Sequence, residues 1–145
     1  MHEKKIPQNI EAEKAVIASM FLAKYALQKA TEELSKEVFF LDSHAKIFEV
    51  IRDLNDNNKA IDITTVSDEL EKRKILNQIG GVEYLSEIIN SIASPANIDE
   101  YINIIEEKAT INVREYQEKG IYYDIDIPSK LYHLVKEYDL DLMVN

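Results

Sequence analysis

The chain has 145 residues, 46% of them hydrophobic, and a formal net charge of −10. This composition is typical of a globular protein and not of a disordered chain, and it holds no apolar run of the roughly 20 residues that span a bilayer. The acidic balance argues against strong autonomous DNA binding, since proteins that grip phosphates carry a basic face. Without cysteine, disulfides and thiolate metal sites are excluded. We expect a cytoplasmic protein whose partners are other proteins, with no membrane segment.

Apolar residues recur at helical spacing along the first half of the chain. Asn9 is predicted to cap the first helix, and a second helix is predicted over residues 25–34. Asp42 or Ser43 is predicted to cap a third helix, and a short fourth helix is predicted over residues 64–72. These segments have one apolar side each, as helices of a bundle do.

The same spacing continues in the second half. Gly80 or Gly81 is predicted to take the left-handed conformation that ends one helical segment before the next begins. Asn97 is the predicted cap of a longer helix. Five or six amphipathic helices with short polar joints predict an all-α multi-helix bundle over about residues 9–113.

The composition changes after Arg114. Residues 115–145 hold seven acids, three lysines and five of the eight tyrosines, and Pro128 is predicted to start a final helix. Disordered segments are poor in aromatic residues, so we expect this tail to pack on the bundle or on a second copy of the chain. The predicted domains are a helical domain over residues 7–113 and an acidic, tyrosine-rich tail over residues 114–145.

The sequence contains no phosphate-binding loop. Gly80, Gly81 and Gly120 are the only glycines, and none precedes Lys-Ser or Lys-Thr, so both the P-loop and the G-x-G-x-x-G loop are excluded. We therefore expect neither ATP hydrolysis nor DNA unwinding from this chain, and we assign it no catalytic residue and no cofactor.

The histidines and acid pairs do not form a catalytic or metal-binding pattern. His2, His44 and His133 lack the spacing of metal ligands, and His44 is expected to be a capping or surface residue. Glu11 and Glu13 are expected to belong to a solvated helix face. The residues themselves indicate only an acidic helical domain that acts as a binding module.

Five motifs, in order, resemble the N-terminal domain of DnaB-type replicative DNA helicases over about residues 7–109. They are P-Q-N-I-E-A-E-K-A-V-I at 7–17, F-F at 39–40 with H-A-K-I-F at 44–48, I-D-I-T-T-V at 61–66 with E-L at 69–70, G-G-V-E-Y-L at 80–85, and S-P-A-N-I at 94–98 continuing to E-K-A at 107–109. Each motif alone is weak, whereas five in order are specific.

The resemblance implies a non-catalytic interaction domain. In that family such a domain sits on a RecA-like motor, helps to build the N-terminal collar of the helicase ring and receives the primase. The implied partners are other helicase subunits, through dimers or higher oligomers, and a primase or helicase loader. Glu11, Tyr84 and Tyr101 are the candidate partner-surface residues, while Thr64 joins the cap candidates. The basic run that follows E-K-A in the family is replaced here by an unfamiliar acidic sequence.

Two other functions stay open at this point. One is a stand-alone regulator, encoded by a mobile element, that mimics the helicase N-terminal domain and modulates or inhibits the host helicase. The other is a small helical enzyme with an unrecognised site, which the missing constellations disfavour. A reading frame for a RecA-like motor after Asn145 would distinguish a helicase fragment from a stand-alone protein.

Overall fold

The computed structural model describes residues 9–118 and the side chains of residues 9–109. In this part the chain forms seven α-helices, two short 3-10 turns and no strand, which confirms the predicted all-α fold. The helices are α1 (Ile10–Leu22), α2 (Lys24–Glu33), α3 (Asp42–Asp56), α4 (Ile63–Lys72), α5 (Leu76–Ile79), α6 (Gly81–Ile89) and α7 (Ile98–Glu118), and the 3-10 turns are Lys36–Val38 and Pro95–Asn97. None of these helices is both long enough and apolar enough to cross a membrane.

Helix α1 is the central element of the bundle. It packs against α2, α3, α6 and α7, and its residues from Ala12 to Met20 are buried except for the half-buried Lys14. A helix surrounded on all sides is apolar all round instead of amphipathic. The small side chains of Ala12, Ala15 and Ala18 let the neighbouring helices come close to it.

The other helices each present an apolar stripe to this centre. The stripe residues are Ile47, Phe48, Val50, Ile51 and Leu54 on α3, Val66 and Leu70 on α4, Leu85 and Ile88 on α6, and Ile98, Ile102, Ile105 and Ala109 on α7. The rings of Phe39 and Phe48 lie 5.1 Å apart at a tilt of 39°, an arrangement that aromatic pairs favour. The core therefore joins residues from the whole of the described chain.

One of the predicted helix caps, that of α4, is replaced by other side chains. Asn9 accepts a hydrogen bond from the Ala12 N–H at 2.9 Å, which confirms its prediction. Thr64 is not the cap of α4, because Asp62 and Thr65 form a capping box there. At the second 3-10 turn, Ser94 accepts from the Ala96 N–H. Asn97 directly precedes the first residue of α7, and its role as the cap of that helix stays a prediction.

The predicted cap of α3 is wrong. Neither Asp42 nor Ser43 precedes the helix, and the N-cap residue Leu41 makes no side-chain capping bond. The physical reason is a carboxylate from another helix. Glu13 of α1 accepts hydrogen bonds from the N–H groups of Phe40 and Leu41, so the entry into α3 is fixed by a tertiary contact.

The two adjacent glycines separate α5 from α6 as predicted. Gly80 has φ +113° and Gly81 has φ +76°, a region that residues with a side chain rarely adopt. A Cβ atom at Gly80 would lie 2.7 Å from the Cβ of Tyr84. The turn at Gly80 therefore lies directly against the base of the Tyr84 side chain.

The predicted packing of the tail concerns residues 115–145. From residue 119 onwards these lie outside the part of the chain that the structure describes. Residues 115–118 form the end of α7, which runs without a break past the predicted domain boundary at residue 113.

Candidate protein-interaction surface

Three side chains from three helices form one chain of hydrogen bonds. The Nδ1 atom of His44 on α3 lies 2.7 Å from a carboxylate oxygen of Glu13 on α1. Its Nε2 atom lies 2.5 Å from the hydroxyl of Tyr84 on α6. The partners are 31 and 40 residues apart in sequence, so this Glu13–His44–Tyr84 network connects distant parts of the chain.

The chemistry of the partners fixes the direction of these bonds. A carboxylate can only accept, so the His44 Nδ1–H donates to Glu13. In the corresponding neutral tautomer Nε2 carries a lone pair, and the Tyr84 hydroxyl donates to it. Both nitrogens of a fully buried ring are thereby satisfied, as buried polar atoms must be to avoid a desolvation penalty.

Glu13 is the most heavily bonded member of the network. Its side chain is only 3% exposed, and it accepts from the Phe40 N–H at 2.6 Å and from the Leu41 N–H at 3.4 Å in addition to His44. A buried carboxylate persists when several donors surround it. Glu13 therefore holds α1 against the start of α3.

These positions correct two predictions from the sequence. His44 is neither a capping nor a surface residue, and Glu13 is not on a solvated face, since both are buried. A local signal for Glu13 did exist, because every position from Ala15 to Met20 is apolar or small. A helix without a polar side in that stretch must be enclosed, but this signal does not distinguish Glu13, which is buried, from Glu11, which is exposed in the same turn.

Tyr84 carries the network to the surface. Its side chain is half-buried, and burial raises the pKa of its hydroxyl above the ordinary value. The ring lies nearly parallel to that of His44, with centroids 5.8 Å apart. On the outside it borders a shallow cavity of about 420 Å³, whose other lining residues are Ser43, Asn77, Gln78, Ile79, Gly80, Glu83 and Glu87.

Charged side chains from α1 surround the exposed side of Tyr84. The Lys14 ammonium lies 2.9 Å from the Glu87 carboxylate, and this hydrogen bond raises the pKa of Lys14. Glu11 is exposed in the first turn of α1 and lies close enough for its charge to act on both Lys14 and Tyr84. We call Glu11, Lys14, Tyr84 and Glu87 the α1–α6 surface.

The three predicted partner-surface residues do not all meet there. Glu11 and Tyr84 belong to the α1–α6 surface, whereas Tyr101 is half-buried on α7, where its ring packs against the core. The hydrogen bonds found among the described side chains do not connect Tyr101 with the other two. The role of all three in partner binding stays a prediction.

The chemistry of this surface suits recognition better than reaction. Both His44 nitrogens are occupied by protein groups, which leaves neither free to act as a general base toward a ligand. Within the described residues no group of three His, Cys, Asp or Glu side chains is placed to hold a metal ion. What remains at the surface is a firmly oriented aromatic ring inside a polar rim.

Comparisons with known proteins identify relatives of the whole domain. Residues 5–107 match the family described as DnaB-like helicase N terminal domain. The chain is 42% identical over 105 residues to the replicative DNA helicase DnaC of Bacillus subtilis (strain 168), which covers 72% of this chain and 23% of that protein. It is 32% identical over 136 residues to the replicative DNA helicase DnaB of Rhodothermus marinus, which covers 94% of this chain and 14% of that protein.

The fold has a counterpart among solved structures. The crystal structure of the N-terminal domain of DnaB helicase from Mycobacterium tuberculosis superposes with a TM-score of 0.77 at 30% sequence identity. The superposition covers 93% of this chain and 99% of that domain. The chain spans less than a quarter of the Bacillus and Rhodothermus helicases. From the family match and this shared fold, the chain belongs to the DnaB-like helicase N-terminal domain family.

Proposed function

We propose that this chain acts as the non-catalytic interaction domain of a replicative DNA helicase. Its tasks are self-association into the N-terminal collar of the ring and contact with a primase or helicase loader. The observation that carries the proposal is the match to the solved N-terminal domain over 99% of that domain. The absence of a phosphate-binding loop from the sequence agrees with a role in assembly instead of hydrolysis.

The α1–α6 surface is the part of the molecule that we propose for the primase or loader. Tyrosine is enriched at protein interfaces because its ring supplies apolar area and its hydroxyl a polar contact. Here the hydroxyl is already held by His44, so little rotamer freedom remains to be lost on binding. Glu11 and the Lys14–Glu87 pair provide a charged rim that selects the partner.

The partner role is tested by reversing one rim charge. The Glu11→Lys variant is compared with Glu71→Lys, which changes an equally exposed glutamate on α4. Binding of the primase C-terminal domain from the same cell is measured by isothermal titration calorimetry. We expect Glu11→Lys to weaken binding about fivefold, a size typical of a rim contact, and Glu71→Lys to leave it unchanged.

Self-association is measured on the unmodified chain by sedimentation equilibrium over a range of concentrations. We expect the average mass to rise with concentration from that of one chain to that of two or more. A chain that stays monomeric and does not bind the primase domain would contradict the proposed function. Equal effects of the Glu11 and Glu71 substitutions would leave the function standing but would remove the α1–α6 surface from it.

A further inference from the structure

A groove lies at the other end of α1 from the α1–α6 surface. It has a volume of about 530 Å³, which is within the range of cavities that bind ligands. Its lining residues are Met20, Phe21, Leu22, Ala23, Lys24 and Leu27 from α1 and α2, and Asn55, Asn58, Lys59, Ala60 and Ile61 from the end of α3 and the loop that follows. Seven of these lining residues are apolar, which we call the floor, and four are polar or charged, which we call the rim.

One large apolar side chain that lines this groove is exposed to solvent. Leu22, the last residue of α1, is 44% exposed. The loop between α3 and α4 is held in place, because the Lys59 N–H donates to the Leu54 carbonyl at 2.9 Å. This hydrogen bond ties one side of the groove to the end of α3.

The lysines at the rim differ from most other lysines of the domain. Lys14, Lys29, Lys36, Lys46 and Lys72 each contact a carboxylate. Within residues 9–109 the ammonium groups of Lys24 and Lys59 have no such partner. Two unpaired cations therefore line this groove beside its apolar floor, in a chain with net charge −10.

We propose that this groove binds an acidic peptide segment of a partner protein that carries bulky apolar side chains. The apolar side chains enter between α1 and α2, and the carboxylates meet Lys24 and Lys59 at the rim. Burial of one leucine or phenylalanine side chain contributes more to binding than an exposed ion pair does. The apolar anchors therefore supply the affinity and the lysines select the acidic partner.

A nucleic acid fits this groove less well than an acidic peptide. Binding to phosphates gains its energy from many lysine and arginine contacts along the backbone, and this groove offers two lysines. The remaining negative charge of the chain repels a polyanion more strongly than a peptide with three or four carboxylates. The apolar floor would also stay unused by a phosphate backbone.

The test uses the full chain and a fluorescein-labelled peptide, Asp-Leu-Asp-Asp-Leu-Phe-Asp, with binding measured by fluorescence anisotropy. We expect Lys24→Glu and Lys59→Glu to weaken binding about threefold each, and the double variant about tenfold. Leu22→Ala should weaken it as well. Lys72→Glu and Val82→Ala are the matched controls, because both residues are exposed outside the groove, and they should bind the peptide as the unmodified chain does.

A second peptide, Asp-Ala-Asp-Asp-Ala-Ala-Asp, keeps the charge and removes the anchors, and it should bind at least tenfold more weakly. Equal binding of both peptides would overturn the proposal, since attraction would then be a matter of charge alone. So would the absence of any binding, or a loss that is the same for groove and control variants. Tighter binding of a twelve-nucleotide single strand, weakened by the same two lysine variants, would assign the groove to nucleic acid. None of these outcomes depends on primase binding at the α1–α6 surface.

Discussion

Glu11 and Glu13 lie two positions apart at the start of α1 and have opposite surroundings. Glu11 is exposed, while Glu13 is buried and accepts hydrogen bonds from His44, Phe40 and Leu41. The pair offers a direct comparison of one substitution in two environments, because residue type, helix and turn are shared.

We predict that Glu13→Gln lowers the free energy of unfolding by about 2–3 kcal/mol. The amide NH₂ group would face a donor, either the His44 Nδ1–H or the Phe40 N–H, and a buried donor would lose its acceptor. Glu11→Gln should change the free energy of unfolding by less than about 0.5 kcal/mol. Urea denaturation at pH 7, followed by circular dichroism, measures both. Equal losses in the two variants would show that the Glu13 contacts contribute nothing of their own.

Tyr84 gives a second prediction at this scale, which concerns alkaline pH. Its pKa is raised in the folded state by burial, so the folded state holds the proton more tightly than the unfolded state does. The stability that this provides is complete below the unfolded value of about 10 and is lost as the pH rises through the folded value. Tyr84→Phe should therefore make the loss of stability above pH 10 shallower than in the unmodified chain.

The same variant should be less stable at neutral pH by about 1–3 kcal/mol, because His44 Nε2 would be buried without a partner. Tyr25→Phe is the control, since Tyr25 is 57% exposed. Loss of its hydroxyl should change neither the stability at pH 7 nor the loss of stability above pH 10. Urea denaturation at pH values from 7 to 11 gives both comparisons. Parallel pH profiles for Tyr84→Phe and the unmodified chain would be evidence against the raised pKa of Tyr84, and equal stability at pH 7 would be evidence against its hydrogen bond to His44.

At the scale of elements, the turn between α5 and α6 is where the backbone and the network meet. Gly80 and Gly81 both have positive φ, but an added Cβ meets different obstacles. At Gly80 it would lie 2.7 Å from the Cβ of Tyr84, an atom fixed to the backbone of α6. At Gly81 it would meet the carboxylate end of Glu83, which can rotate away.

We predict that Gly81→Ala lowers the free energy of unfolding by about 1–2 kcal/mol, the usual cost of a left-handed residue with a side chain. Gly80→Ala should lower it by at least about 3 kcal/mol, because backbone strain and displacement of Tyr84 add together. Thermal unfolding of both variants measures the difference. In a background of Tyr84→Phe the cost of Gly80→Ala should fall, since the bond to His44 is already gone. Equal costs at the two glycines would contradict the close approach to Tyr84.

The start of α3 illustrates how an element can depend on another. A helix normally satisfies its first N–H groups with a nearby side chain, as Asn9 does for α1. At α3 the N–H groups of Phe40 and Leu41, just ahead of the helix, are bound by Glu13 from α1. The boundary of α3 thus belongs to the packed bundle and not to its local sequence.

At the scale of the whole molecule, the sequence predicted the helices well because apolar spacing reports burial directly. Helices were predicted at residues 25–34 and 64–72, and the structure has them at Lys24–Glu33 and Ile63–Lys72. The predicted caps of α3 and α4 were wrong, since Leu41 precedes α3 and the capping box at α4 uses Asp62 and Thr65. At α3 the Glu13 carboxylate binds the Phe40 and Leu41 N–H groups ahead of the helix, a contact that the local sequence does not reveal.

The candidate surface was predicted only in part. Tyr84 stood out as an aromatic residue with a polar tip, and the structure places it half-buried beside Glu11. His44 was misassigned because its two partners lie 31 and 40 residues away, and no periodicity relates positions so far apart. Glu13, His44 and Tyr84 belong to three different motifs of the family resemblance, and the structure joins them in one hydrogen-bonded network.

The Glu13–His44–Tyr84 network also has a consequence for how the sequence evolves. Glu13, His44 and Tyr84 are stabilising as a set, and loss of any one leaves a buried polar group without a partner in the others. A lineage that replaces His44 by an apolar residue takes one of three donors from the buried Glu13 carboxylate and leaves it the Phe40 and Leu41 N–H groups, which weakens the reason to keep a charge there. Among related sequences the three positions should therefore co-vary, present together or lost together, even though they lie on separate helices.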